Sequence, residues 1–319
     1  MSTALITGAA GQDGRLLAAR LVERGLDVVG VVRPGSPPPE GLLRQRTVEL
    51  DLRDAAALAA LVRELRPAQV FHLAAQHHAT QESGRQALPA THEAMVAVNF
   101  EATRALAFAL LAQAQPGHLV LAASSQMYRA PEADVVVDEA TPTCPATFYG
   151  HTKAWGSALL GALRRDFGLR ASVAVLFNHE SPLRRPAFVS RKVSMAAAAA
   201  ALGHPVDLQL LNLGARTDWC SAHDVVDALL SMADQPEGGD FVLASGQLHT
   251  VSELVALAFE HVSLDWRRFT TGREDRRVPA LVGRPHKAEA VLGWRRAHTL
   301  RDVMAQMVEH DLRLLRGAA

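Results

Sequence analysis

The stretch Thr7-Gly8-Ala9-Ala10-Gly11-Gln12-Asp13-Gly14 decides the fold. The apolar run Ala4-Leu5-Ile6 before it reads as a buried strand, and Leu16, Leu17, Leu21 and Val22 after it recur at helical spacing. The glycines therefore stand where a strand turns into a helix. Residues without a Cβ let phosphates approach the backbone at such a turn. The helix behind it presents unpaired N–H groups and a positive dipole end to a pyrophosphate. The pattern predicts a dinucleotide site built from Thr7, Gly8, Gly11, Gln12, Asp13 and Gly14, with an ordinary tight turn as the alternative.

Further strand–helix units follow. A second strand is predicted over 26–32, ending at Arg33. An acidic residue there would suit the ribose hydroxyls of NAD, whereas an arginine suits the 2′-phosphate of NADP. NADP is therefore expected, NAD is the alternative, and a solvated basic residue is the plain reading of Arg33. Residues 34–39 read as a Pro/Gly/Ser loop. A third strand over 47–50 leads to Asp51 and Leu52; Asp51 can accept from an adenine amino group or cap a helix. A helix over 54–65 stops before Pro67. A fourth strand over 69–73 ends in the small residues Ala74 and Ala75, so a cofactor can lie close to Leu73, Ala74 and Ala75. A helix over 90–113, a strand over 118–122, a helix over 147–167 and a strand over 170–177 come next. This alternation predicts an α/β fold, a doubly wound parallel Rossmann sheet whose ligands bind beyond the carboxyl ends of the strands.

After residue 177 the pattern changes. Residues 178–186 read as a polar, proline-containing loop, 189–202 as a helix with an alanine run, and 207–212 as a short strand. A helix over 224–232 and a strand over 241–244 return to the sheet, and helices follow over 251–261 and 300–315. The expected organisation is a Rossmann domain over 1–177 with the returning segment 213–245, and a smaller C-terminal substrate-binding lobe over 178–212 and 246–319.

The 319 residues suffice for a large core. At 49% hydrophobic and 21% charged residues, the composition is that of a soluble enzyme. Lys and Arg number 33 and so do Asp and Glu, which gives no attraction to nucleic acid or to an anionic membrane. Cys144 and Cys220 make no disulfide framework and fit a reducing compartment. No apolar run is expected to reach transmembrane length, the chain enters a strand at once, and cytoplasmic residence is expected. No Cys/His cluster has metal-ligand spacing, so no metal is expected.

Tyr149 and Lys153 stand four apart in a predicted helix, with Cβ atoms ~6 Å apart on one face. A free phenol titrates near ~10, and a nearby ammonium is expected to lower that value. Lowering it by ~3 units takes ~4 kcal/mol. Lys153 can also hold the nicotinamide ribose. Alone the pair would mark a surface helix; behind a glycine-rich turn it marks a hydride-transfer site. Ser124 and Ser125 follow the fifth strand, where a hydroxyl can bridge a substrate oxygen and the tyrosine, or simply cap a turn.

At this point the chain resembles the extended short-chain dehydrogenase/reductases that modify nucleotide sugars, and among these the GDP-mannose 4,6-dehydratases. The matching pieces are Leu5-Ile6-Thr7-Gly8 with Gly11-Gln12-Asp13-Gly14, Val31-Val32-Arg33 and Leu73-Ala74-Ala75-Gln76. Further on stand Leu176-Phe177-Asn178-His179-Glu180-Ser181-Pro182, Phe188-Val189-Ser190-Arg191-Lys192, Asp218-Trp219 and Leu292-Gly293-Trp294. The resemblance implies that Asn178 and Lys192 contact a nucleotide sugar, that Arg33 holds the NADP phosphate, and that Ser124, Tyr149 and Lys153 are catalytic. On the substrate side the candidates are Gln76, His77, Ser125, Asn178, Glu180, Val189, Lys192, Arg216 and Arg277. The resemblance also implies a homodimer or homotetramer, paired through helices such as 90–114 and 149–167.

The departures bear on the reaction. The dehydratases carry Thr-Ser-Glu or Thr-Asp-Glu after the fifth strand, where this chain has Ser124-Ser125-Gln126. That glutamate is the family's acid/base for eliminating water across C5 and C6. An amide can hold a hydroxyl but cannot exchange a proton, a loss of ~10²–10⁴ in rate. Ser-Ser is more like the sugar 4-epimerases and 4-ketoreductases of the same superfamily. The expected function is therefore NAD(P)-dependent modification of a nucleotide sugar, a GDP-hexose or a longer relative, through transient oxidation at C4. C4 epimerisation or 4-keto reduction is favoured, with Gln126 as a positioning group in the catalytic set. A true 4,6-dehydratase and a non-catalytic NADP-binding sensor are the alternatives. His77 stands where the dehydratases have serine; His77 and His78 read either as substitute acid/base groups or as polar loop residues. Glu180 likewise reads as a stand-in or as a structural acceptor. Thr217 replaces the arginine of the family's Arg-Asp-Trp, and its Arg-Pro-x-Glu element is not preserved around 273–277, which leaves base and sugar open.

Overall fold

The computed structural model describes residues 2–36, 46–77, 89–273 and 278–317. Strands β1 (Thr3–Thr7), β2 (Asp27–Val32), β3 (Thr47–Glu49), β4 (Gln69–His72) and β5 (His118–Ala122) alternate with helices. These helices are α1 (Gln12–Glu23), α2 (Ala55–Leu65) and a long helix formed by α3 (Pro89–Met95), a π-helical stretch (Val96–Glu101) and α4 (Ala102–Leu111). Next come β6 (Val135–Val137), α5 (Phe148–Phe167), β7 (Ala171–Leu176), β8 (Asn178–Glu180), α6 (Val189–Ala201) and β9 (Leu208–Asn212). The chain continues through β10 (Arg216–Ser221), α7 (Ala222–Ala233), β11 (Asp240–Leu243), β12 (Leu248–Thr250), α8 (Val251–His261) and β13 (Thr270–Arg273). It ends with β14 (Leu281–Gly283), α9 (His286–Leu292) and α10 (Leu300–Gly317).

Seven strands form one sheet in the order β11-β7-β5-β4-β1-β2-β3, each pair parallel. β5 and β7 are buried at every position, as a strand with helices on both faces must be. One layer, with α1, α7 and α9, packs Leu17, Leu21, Val225 and Leu229 on the sheet; the other packs Leu58, Leu106, Leu110 and Leu160. The strand order reverses direction between β1 and β4, so a crevice opens at their carboxyl ends.

Local chemistry sets the helix ends that point at this crevice. Thr147 caps α5 by accepting from the Gly150 N–H at 3.0 Å, and Gly168 closes it in the left-handed region. Asp54, not Asp51, caps α2, accepting from the Ala57 N–H at 2.9 Å. The capping alternative for Asp51 is thereby corrected: it lies one turn too early, and its carboxylate is held by Arg53 at 2.5 Å.

Three further expectations are revised. The segment after β7 is not wholly a loop, because β8 pairs in parallel with β10, Asn178 opposite Trp219. Thr91–Leu111 is, by length and composition, apolar enough to cross a membrane, with a mean hydropathy of 1.4. Half of it is buried in the molecule, where α4 packs against α2 and α5; such a helix is apolar for the same reason a spanning one is. Within 246–319, Ala288 and Trp294 join the core beneath α1 and α7, and Trp294 Nε1 donates to the Asp224 carbonyl at 2.6 Å. That stretch therefore packs on the sheet rather than with the remainder of the C-terminal segment.

A third core gathers Val193, Ala197, Leu254, Phe259, Met304 and Met307 from α6, α8 and α10. The alanine run of α6 is the close-packed face against α10, where Arg191 and Asp311 form a buried pair at 2.6 Å. Ser194 donates to the same carboxylate at 2.6 Å, which helps offset the cost of taking the charges out of water. Asp218 knots β10 to the neighbouring chain, accepting from the N–H groups of Ser245, Gly246 and Gly283 at 2.7, 3.0 and 3.0 Å.

Candidate functional site

The glycine turn lies where β1 ends in the crevice. Gly8 has φ +74°, and a Cβ on it would stand 2.7 Å from the Ala74 nitrogen at the end of β4. A Cβ on Gly14 would overlap the backbone of Gly8 and Ala9. Close packing of turn, helix and β4 therefore demands glycine at both places. Gly11 begins α1 without a side-chain cap, which leaves first-turn N–H groups for an anion. Thr7 points inward: its hydroxyl shares a 2.6 Å hydrogen bond with His72 Nδ1. Leu73, Ala74 and Ala75 line the same edge.

α5 brings the catalytic candidates to the next strand end. Lys153 is buried and its Nζ donates to the Ala122 carbonyl at 2.7 Å, 5.8 Å from the Tyr149 ring centre. Burial pushes this ammonium down to about 8. It also pushes neighbouring His72 down to about 3, with the Lys153 charge acting in the same sense. Tyr149 keeps part of its surface open, yet burial pushes its phenol up to about 12, against an opposing hydrogen bond from Ser124. The expectation that the phenol sits below its ordinary value is thus corrected for the protein alone, because desolvation outweighs the Ser124 hydrogen bond and the Arg184 charge that lower it. Ser124 also takes up the capping role allowed for it, accepting from the Gln126 N–H at 3.2 Å.

Gln126 is held against α5. A Cβ on Gly150 would overlap the Gln126 carbonyl, so glycine permits this approach. The Gln126 Oε1 accepts from the Thr147 hydroxyl at 3.2 Å, and its Nε2 lies 3.3 Å from His77 Nε2. His77 meets the Tyr149 ring edge-on, with centres 4.6 Å apart. Ser125 opens the short turn Ser125–Met127 beside them.

Asn99 is a site residue that the sequence reading missed. It lies buried in the π-helical stretch, a feature frequent at functional sites. Its Oδ1 accepts from the Gln76 N–H at 2.8 Å, and its Nδ2 donates to the Gln76 carbonyl and to the Thr152 hydroxyl at 3.1 and 3.0 Å. It thereby fixes the segment carrying Gln76 and His77 against α5. An asparagine inside an apolar helical run was the available signal.

The candidates beyond β7 divide. Asn178 is exposed at the start of β8, and Val189 and Lys192 lie on the first turn of α6, half-buried. Glu180 is 2% exposed, accepts from Ser190 Oγ at 2.5 Å and pairs with Arg184 at 3.0 Å. Arg216 gives its guanidinium to Asp134 in two hydrogen bonds of 2.8 and 2.6 Å. Arg184, also missed, stacks on the Phe188 ring at 3.7 Å, and its charge reaches Tyr149. Arg33 stands exposed at the end of β2, near Asp51. Arg53 is the main reason the Asp51 carboxyl drops to about 2. His78 and Arg277 lie outside the described residues.

Comparison with known proteins points the same way. The pattern of the GDP-mannose 4,6 dehydratase family matches residues 5–307. A GDP-mannose 4,6-dehydratase of Sinorhizobium fredii (strain HH103) is 32% identical over 348 residues, covering 98% of this chain and 97% of that protein. The GDP-mannose 4,6-dehydratase sdnI of Sordaria araneosa is 32% identical over 342 residues, or 99% of this chain, which spans 62% of that relative's length. The solved structure of MoeE5 in complex with UDP-glucose and NAD superposes with a TM-score of 0.80 at 26% identity, covering 98% of this chain and 100% of that one.

Proposed function

Because the chain belongs to the GDP-mannose 4,6-dehydratase family, we propose that it moves a hydride between C4 of a GDP-hexose and NADP, as a C4 epimerase or 4-ketoreductase. The observation that carries this reading is the grouping of Ser124, Tyr149 and Lys153 at the crevice, with a non-ionising Gln126 beside them. A non-catalytic sensor would need the glycine turn but not the tyrosine–lysine pair.

The cofactor is held by the glycine turn, the α1 N-terminus and the Leu73–Ala75 edge, with Arg33 on the 2′-phosphate and Lys153 on the ribose. When bound, its nicotinamide accepts or supplies the hydride. Tyr149 exchanges the proton of the C4 oxygen, and Ser124 holds that oxygen. With its pKa raised by burial, the phenol is a proton donor at neutral pH. Taking a proton from a C4 hydroxyl requires the further positive charge of the oxidised nicotinamide. On the other side of the crevice, Asn178, Val189 and Lys192 bind the nucleotide sugar. Exposed Phe108 and Trp155 on α4 and α5 support pairing of two copies through these helices.

A second reading, 4,6-dehydration, is favoured by one observation, the contact of titratable His77 with Gln126. Incubation with GDP-mannose and NADP⁺, followed by NMR, separates the two. The expected product is a C4-inverted hexose, or NADPH-dependent reduction when a 4-keto sugar is supplied, and Tyr149→Phe abolishes either. Fast formation of a 4-keto-6-deoxy sugar would replace the first reading with the second.

A further inference from the structure

The hydride step leaves one titratable side chain of the cluster without a task. His77 is half-buried, 3.3 Å from the Gln126 amide nitrogen and edge-on to Tyr149 at 4.6 Å. Thr147 occupies the oxygen end of the Gln126 amide, so its NH₂ end faces His77. With the amide N–H as the donor, Nε2 is the acceptor in this contact and the ring proton stands on Nδ1. At 3.3 Å this is a long N–H···N contact, weaker than the usual ~2.9–3.0 Å bond and readily exchanged for a bound sugar. An imidazole that accepts at Nε2 and exchanges that partner for a substrate C–H is a competent base. Gln126 cannot move a proton itself, but it fixes the ring that can.

We infer that His77 moves a proton to and from the sugar carbon next to C4, with Gln126 and Asn99 as its positioning residues. The inference rests on the proposed oxidation at C4 and deepens it. A C4 ketone acidifies the adjoining C–H bonds, and Tyr149, in contact with His77, is placed to hydrogen-bond the ketone oxygen. In the step, the C5–H bond breaks and its proton passes to Nε2 of His77. The electron pair becomes the C4=C5 bond of an enolate, whose negative oxygen is held by the Tyr149 phenol. Returning a proton from His77 to the same face of C5 gives exchange with solvent. Where the sugar carries a C6 hydroxyl, the imidazolium can instead protonate it; water leaves as the enolate electrons form the C5=C6 bond and restore the ketone.

The test uses GDP-4-keto-6-deoxymannose and the NADP-loaded enzyme in deuterium oxide, which bypasses oxidation at C4. Deuterium is expected to enter next to the ketone, read by mass spectrometry and NMR. His77→Ala is expected to slow this by ~10²–10⁴, and added imidazole to restore it. His77→Gln fills the same space, should slow exchange as strongly, and guards against a folding defect; NADP binding by both variants reports their integrity. Three results overturn the inference: no enzyme-dependent exchange, exchange undiminished in the variants, or a loss that imidazole leaves unrepaired in His77→Ala. Hydride transfer from C4-deuterated GDP-mannose is followed separately through the nicotinamide absorbance. Its absence, together with no NADPH-dependent reduction of a 4-keto sugar, would defeat the proposed function while the exchange result stood.

Discussion

Asp13 Oδ2 and His179 Nε2 stand 3.0 Å apart, so the glycine turn grips the strand that leads to the substrate side. Gln12 adds two bonds, donating to the His179 carbonyl at 3.0 Å and accepting from Ser181 Oγ at 2.8 Å. His179 Nδ1 lies 2.7 Å from the Phe177 carbonyl, so both ring nitrogens face acceptors, an arrangement that favours the cation. Burial opposes that charge, but Asp13 outweighs it, and the His179 pKa is raised. Sequence reading placed Gln12 and Asp13 with the cofactor; in the structure their side chains join the cofactor turn to the segment around β8.

Asp13→Asn should therefore loosen two sites at once. Losing the charge-assisted bond is expected to cost about 1–3 kcal/mol in urea unfolding. Calorimetric titration should show NADP and nucleotide sugar both weakened ~10-fold. A change confined to NADP would mean that the clamp transmits nothing to β8.

Arg33 carries the cofactor preference. A charged hydrogen bond to phosphate contributes about 1.5–3 kcal/mol, or ~10–100-fold in affinity. Arg33→Asp is expected to lose that much NADP affinity and to gain NAD, measured by fluorescence titration of the reduced forms. Equal affinities in the unaltered chain would remove Arg33 from the phosphate.

Lys153 sets an alkaline limb. Burial lowers its ammonium to about 8, so its charged fraction falls tenfold per pH unit above that value. If the charge is needed to hold the ribose and steady the phenolate, kcat/KM should decline above about pH 8. Lys153→Arg, slower because its planar group fits the Ala122 carbonyl differently, should lose that limb because a guanidinium stays charged. A limb unchanged in the variant would assign it to another group.

The seven-stranded sheet was legible because its strands are short apolar runs set between capped helices, as with Thr147 and Gly168 around α5. Kinship with nucleotide-sugar enzymes was legible for a different reason, that local motifs such as Asn178-His179-Glu180-Ser181-Pro182 are contiguous in the chain. The small ladders were not, since β6 with β14 and β9 with β13 pair across long separations and carry little pattern of their own. Nor was the state of Tyr149: spacing shows that an ammonium is near, but only the packed structure shows that burial raises the phenol. Glu180 and Arg216 illustrate the same limit, because the sequence gives no sign of the partner, Arg184 or Asp134, that pairs with each charge.

Two buried histidines predict acid lability. Burial holds His72 down to about 3 and His118 down to about 4, against an ordinary 6.5. Between those values and 6.5 the unfolded chain binds more protons than the folded one, so stability is full above about pH 6.5 and falls as pH drops through this window. From pH 6.5 to 5.5 each histidine should remove ~1 kcal/mol, before most carboxylates titrate. Urea unfolding at the two pH values measures the sum, and His118→Asn isolates one share. Its Nε2 bonds the Ser172 hydroxyl at 2.9 Å, so the variant starts less stable, yet its loss on acidification should be ~1 kcal/mol smaller. An identical pH slope in the two proteins would mean that His118 takes up its proton in the folded state, inside a sheet that leaves it no solvent.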